Sequence, residues 1–391
     1  MKHERQVVTY RNAPLPEEDR WPFFRKGFNL KSVFLIARMS AFLFLVTDGI
    51  QAREPAPLAK PPDFSTRLVP RNRILNRMDE GYHVWGCAAI YSPDGRVHVF
   101  FAQWRHGGDW KFRPDYAWKL TGSIGHAVAD QPEGPYAVLD VALRPRGGDY
   151  WDGTGLINPQ IYRVGDRYAL YFTGINYRQH PQRQGVGLAV SQSLDGPWVR
   201  ISDRSPIIGV SNAEDAFDSL LCNNPAMVRH PDGRFLLYYK GRNRHAEQKL
   251  RDDRVKKVVV RRIGLALADR LEGPYVKYDA NPVLDYGPQG KDFEDPYVWR
   301  ESEMFHLLLH DMNVFEHGGG LYLTSYDGIR WSEPAKGYPS TRSQFGVVQR
   351  LETPILLMKD GRPDYLFNNR GGSTGEPIFS GFVWKVRSLR D

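Results

Sequence analysis

From about residue 75 onward the chain alternates apolar and polar positions in short runs closed by Gly, Pro or Asp. A period of two marks half-buried strands, and such closing residues mark tight turns. One pattern recurs. Ile124–Tyr136 reads IGHAVADQPEGPY, Val186–Trp198 reads VGLAVSQSLDGPW and Ile263–Tyr275 reads IGLALADRLEGPY, aligned without gaps. Leu321–Trp331 (LYLTSYDGIRW) is a more distant copy. Each copy predicts an alternating strand, a polar turn and a second strand opened by Gly-Pro-aromatic.

A second recurring element precedes each copy: a strand, a turn and an aromatic strand. It occurs at Ala88–Phe101, Asn158–Phe172, Asn224–Tyr239, Asp295–Leu309 and Thr353–Phe367. Asp94-Gly95, Gly165-Asp166, Asp232-Gly233 and Asp360-Gly361 supply hairpin turns. Five units of about 60 residues, each of about four strands, therefore fill 75–391. Radial repetition of this kind predicts an all-β, five-bladed β-propeller, in which few strand edges are left open.

Composition narrows the class. Apolar residues make up 41% and charged residues 25%, which excludes a disordered chain and a multi-span membrane protein. The net charge of +8 gathers in one run, Lys240–Arg262, between two strand-like stretches. It reads as a solvated loop or a contact for an anionic glycan. No zinc-finger, RNA-box or recognition-helix pattern accompanies it, so no nucleic-acid partner is expected. Cys87 and Cys222 alone cannot form a disulfide framework or a Cys-based zinc site, and they read as buried thiols.

The apolar stretch Ser32–Val46 follows Arg25, Lys26 and Lys31 and precedes Ile50-Gln51-Ala52. It reads as an export segment over 1–52, a signal peptide or signal anchor, and implies a secreted or periplasmic location. Any membrane association would run through it alone. Residues 53–74 read as a Pro-rich linker, and 75–391 as the catalytic domain.

In a propeller the first strand of every blade faces a common axis. The repeat places Trp85-Gly86-Cys87, Asn158-Pro159, Asn224-Pro225, Glu294-Asp295-Pro296 and Glu352-Thr353-Pro354 there. Carboxylates at an axial pocket suit acid/base chemistry. Asp152 and Asp218 each lie six residues before an axial Asn, after Trp151 and Phe217. They are either loop caps or sugar ligands on the pocket rim. His83 and His126 are placed to reach the funnel, and the other strand histidines read as sheet residues.

These axial motifs and the Gly-Pro-aromatic strands resemble the five-bladed propeller glycoside hydrolases of families 43 and 117. The likeness covers about 75–391 and is most specific at Phe293–Trp299 (FEDPYVW), His310–Met312 (HDM), Glu316–Gly319 (EHGG) and SYDGIRW. It implies a glycosidase exo-acting on an α-linked terminal sugar of an oligo- or polysaccharide, and the basic charge suggests that the substrate is anionic.

On this likeness Asp295 is the base or nucleophile and Glu352 the acid. Glu294 perturbs its neighbour, and His317 takes the family's acidic histidine role in competition with Glu352. Trp85 and Trp151, with Trp104 and Trp110, offer stacking faces. Arg105 and Arg370 offer contacts for a carboxylate or sulfate. Asn158 and Asn224 stand with Asp152 and Asp218 as substrate contacts. The chain departs from family 43 at Cys87, Asn158 and Asn224, where a base would be expected. A non-catalytic carbohydrate-binding propeller and a glycoside phosphorylase are therefore the alternatives. No catalytic metal or organic cofactor is expected; a structural divalent cation on the axis is compatible with the Asp and Asn oxygens.

Overall fold

The computed structural model describes residues 58–105, 117–179, 183–245, 261–347, 350–371 and 379–388. The export-like segment, Trp110 and the middle of the basic run lie outside them. Cys87 and Cys222 are free, buried thiols.

Among the described residues, twenty strands form five antiparallel meanders of four, the second and third joined into one eight-stranded sheet by a parallel bridge between Leu221 and Gln184. The first contains β2 (Tyr82–Tyr91), β3 (Val97–Arg105), β4 (Ser123–Ala129) and β5 (Ala137–Leu143). The second contains β6 (Gly155–Val164), β7 (Arg167–Ile175), β8 (Gln184–Ser191) and β9 (Val199–Arg200). The third contains β10 (Leu221–Arg229), β11 (Phe235–Arg242), β12 (Arg261–Ala268) and β13 (Val276–Lys277). The fourth contains β14 (Phe293–Glu301), β15 (Met304–Asp311), β16 (Gly320–Ser325) and β17 (Ala335–Lys336). The last sheet joins β18 (Arg350–Lys359), β19 (Arg362–Gly371) and β20 (Ser380–Val386) to β1 (Leu68–Ile74).

This corrects the expected linker. Leu68–Ile74 is a strand paired with β20, from Leu68 opposite Val386 to Ile74 opposite Gly381. Phe64, just before it, is buried in the core. The folded part thus begins earlier than residue 75.

The repeat has a packing cause. The second strand of each of the first three meanders carries a buried aromatic opposite a strand glycine: Phe101 opposite Gly125, Phe172 opposite Gly187, Tyr239 opposite Gly264. A Cβ on those glycines would lie 2.7, 2.4 and 2.5 Å from the ring. Each ring lies flat on the neighbouring strand, and only glycine leaves room for it. Asp360 and Gly361 have φ of 49° and 76°, as a type I′ hairpin turn requires.

The first strands of successive meanders pack in a closed order, β2 on β6, β6 on β10, β10 on β14, β14 on β18 and β18 on β2. This ring brings distant parts of the sequence to one axis.

Candidate active site on the ring of first strands

All five first strands are bulged at the same place. The ladder skips between Trp85 and Ala88, Ile157 and Gln160, Asn223 and Ala226, Glu294 and Tyr297, and Glu352 and Ile355. Each bulge opens with a left-handed residue: Gly86, Asn158, Asn224, Asp295 and Thr353, with φ of 64°, 52°, 51°, 58° and 50°. Asn and Asp are the non-glycine residues that best tolerate this conformation. In four of the five the next residue is Pro, which needs no ladder partner.

The register corrects the first-strand assignment. Gly86, not Cys87, is the counterpart of Asn158 and Asp295. A Cβ on Gly86 would lie 3.1 Å from Pro159 Cδ and 3.2 Å from Asn158 Cα, so no side chain fits. Cys87 takes the Pro place and is buried. The asparagines suit this backbone conformation, as Asp295 does at the same place in its strand.

These five residues form a narrow layer. Asn158 Nδ2 donates to Asn224 Oδ1 at 2.8 Å. Asn224 Nδ2 donates in turn to Asp295 Oδ1, and the Thr353 N–H donates to Asp295 Oδ2 at 3.1 Å. The cavity here is about 10 Å³, enough for a single water. A sugar ring cannot enter it.

One residue earlier the strands present Trp85, Ile157, Asn223, Glu294 and Glu352. Across the ladder stand Ala102, Thr173, Lys240, His310 and Asn369. The chemistry is concentrated on one side of this layer. Lys240 Nζ lies 2.6 Å from Glu294 Oε2 and 3.9 Å from Asp295 Oδ1. Arg261 Nε donates to Glu294 at 3.1 Å, and its Nη1 pairs with Asp292. His310, fully buried, puts Nδ1 3.7 Å from Glu294 Oε1. Glu294, His310 and Glu352 hold donor atoms within 4.8 Å of one another. They could share a divalent cation, although Lys240 and Arg261 already supply positive charge to Glu294.

Environment separates the two neighbouring acids. Burial would raise the Glu294 pKa, but Arg261, Lys240 and His310 hold it well below the usual carboxylate range. Burial and the charges of Glu294 and Glu352 push Asp295 up to about 7, against the opposing pull of Lys240. Burial disfavours charge on His310, yet Glu352, Glu294 and Asp295 raise its pKa overall.

The other sequence candidates are more scattered. Asp152 is buried between Arg146 Nε at 2.7 Å and Arg200 Nε at 2.9 Å. Asp218 is buried against Lys277 Nζ at 2.6 Å and Tyr239 OH at 2.9 Å. Both are anchors between a loop and an outer strand, not open sugar ligands. Trp151 stacks on Phe172 and covers Gly174. Trp85 belongs to the layer of Glu294 and Glu352 and meets Phe379 edge-on, beside His83 and Trp104. His126 lies on the third strand of its meander, packed against His98 and Phe100. Arg105 is exposed at the end of β3, and Arg370 sits over the Phe345 ring. His317 is exposed, its ring 5.9 Å from that of His310.

Sequence reading missed His310, Lys240 and Arg261. The first read as a sheet residue, and the others as ends of a basic loop. The FED motif with a His at the end of the paired strand was the available signal, but only the ladder shows that Glu294 faces His310.

No family model matches the sequence, and no curated protein matches it. Solved structures do. A family 117 glycoside hydrolase of the marine bacterium Zobellia galactanivorans superposes with a TM-score of 0.61 at 16% identity, covering 81% of this chain and 89% of that one. A family 43 enzyme from Xanthomonas citri gives 0.53 at 14% identity, covering 82% and 91%. A family 43 β-xylosidase/α-arabinofuranosidase from a compost metagenome, solved with xylotriose, gives 0.52 at 16% identity, covering 81% and 94%. The chain shares their fold. That likeness is carried by the backbone, since identity is this low.

Proposed function

We propose that the five meanders are the blades of one propeller, and that the chain is a glycoside hydrolase acting at the layer of Glu294 and Glu352. The observation that carries this is the split between neighbouring acids. Glu294 is held ionised by two cations, while Asp295 is poised near neutrality. A buried acid that keeps its proton near neutrality is what a glycosidase needs as its proton donor, and Glu352 supplies a second carboxyl on the same side of the ring.

The sequence favoured Asp295 as base and Glu352 as acid. The raised pKa favours the reverse. Asp295 holds the proton and delivers it to the leaving oxygen through the single water for which its cavity has room. Glu352 is the carboxylate that activates water. Glu294 and His310 fix the field in which both work. His317 lies at the rim, where it would meet the sugar or the leaving group. The exo-acting, α-linked specificity rests on the family 117 resemblance and the narrow floor of the funnel.

The ends of the basic run speak against a phosphorylase. Lys240, Arg261 and Arg262 are paired with Glu294, Asp292 and Asp285. They are not free to hold phosphate.

The test is a screen of the purified full chain against plant, algal and bacterial oligosaccharides, reading released monosaccharide. Release of one sugar by wild type, reduced at least 100-fold in both Asp295→Asn and Glu352→Gln, is expected. Glycan binding with no release would refute hydrolysis in favour of a binding propeller.

A further inference from the structure

The turn before each Gly-Pro-aromatic strand carries an acid that reaches back to the preceding sheet. Glu133 accepts from Tyr365 OH at 2.9 Å and lies 3.4 Å from Arg71 Nε. Glu272 pairs with Arg167 at 2.6 Å. Asp195, in the second copy, pairs with no guanidinium among the described residues. It faces two histidines of the first meander, His98 on β3 and His126 on β4, with donor atoms of all three within 4.8 Å of one another.

The two histidines are arranged as ligands. His98 Nδ1 and His126 Nε2 share a hydrogen bond of 2.9 Å, which a bound cation would replace. Both rings are buried, whereas Asp195 is exposed. His126 turns its other nitrogen, Nδ1, toward Asp140 Oδ1 at 3.5 Å. A carboxylate behind the far nitrogen of a histidine is the usual support of a metal-bound imidazole. The ring is also fixed from the side by Phe100, stacked at 4.6 Å and 1°.

The geometry points to a divalent transition-metal site formed by His98, His126 and Asp195, clipping the first meander to the second where the sister turns use a side-chain cation or a tyrosine. Two imidazoles and one carboxylate suit Zn²⁺, with a fourth position left for water. Tetrahedral ligand bonds of about 2.0–2.2 Å set donor atoms roughly 3.3–3.6 Å apart, so the two imidazole nitrogens separate slightly from 2.9 Å and exposed Asp195 moves inward. The site is separate from the axial carboxylates and independent of the hydrolase reading.

The test is Zn²⁺ titration by calorimetry of the full chain, carrying no polyhistidine tag and stripped with a chelator. One equivalent is expected, with a rise in melting temperature. Asp195→Asn, an exposed change that leaves the core intact, and His98→Gln should each weaken binding at least 10-fold. Asp140→Asn should weaken it by about 10–100-fold. Absence of stoichiometric binding to wild type would overturn the proposal. So would full binding by Asp195→Asn and His98→Gln, including the case in which only Glu294→Gln loses the ion, which would place it on the axis.

Discussion

Asp295→Asn separates stability from chemistry through pH. In wild type the Asp295 carboxyl rises from 3.8 to about 7 on folding. The folded state therefore holds a proton that the unfolded chain has lost between about pH 4 and 7, and stability falls as pH rises across that window. The full displacement corresponds to about 4 kcal/mol, lost by pH 8 and not lost further above it. The variant has no such proton. Its amide presents an N–H to one of the two donors, Asn224 Nδ2 or the Thr353 N–H, that the carboxylate accepts. That mismatch costs about 1–3 kcal/mol at every pH. Urea unfolding of both proteins at pH 5 and pH 8 should show the stability difference move by about 2–3 kcal/mol in the variant's favour between the two. A difference that is the same at both pH values would refute the placement of Asp295 as a buried, proton-holding acid.

Hydrolysis by wild type should decline as pH rises through about 7, where Asp295 loses its proton; a rate that keeps rising to pH 9 would remove it as the acid. Gly86→Ala should destabilise by about 1–2 kcal/mol from the left-handed backbone alone, and by more from the 3.1 Å approach to Pro159, read as a lower urea midpoint. Asp152→Asn should cost about 3–5 kcal/mol by stranding Arg146 and Arg200, while kcat per folded molecule stays unchanged. A selective loss of substrate affinity there would restore Asp152 as a sugar ligand.

The meanders were legible because their packing is written locally. Gly125, Gly187 and Gly264 recur since each must lie under a ring on the neighbouring strand, and the turns carry their own chemistry. The axial motifs were legible as a set for the same reason. Their depth was not. A bulge adds one residue without changing residue type, so the narrow layer of Asn158, Asn224 and Asp295 read as the substrate layer. Glu294 and Glu352, one residue earlier, face the layer that holds Lys240 and His310. The partners of Glu294 were hidden too, because Lys240, Arg261 and His310 meet it only through strand register and ring packing. Leu68–Ile74 read as linker since its partner strand lies more than 300 residues away.

That last pairing bears on synthesis. Beyond the β1–β20 ladder, Arg387 N–H donates to Arg67 O at 2.8 Å, and Arg67 Nε donates back to Arg387 O at 3.0 Å. A nascent chain emerging from the ribosome presents β1 first, yet β1 has no neighbour until β20 has cleared the exit tunnel. Until then this strand is an open edge, and its central Pro70, Arg71 and Arg73 are residues that discourage pairing with a foreign strand. Ring closure thus waits for the last strand of the fold. A nonsense mutation that removed only β20 would leave four complete meanders and two unpaired edges, a species inclined to aggregate.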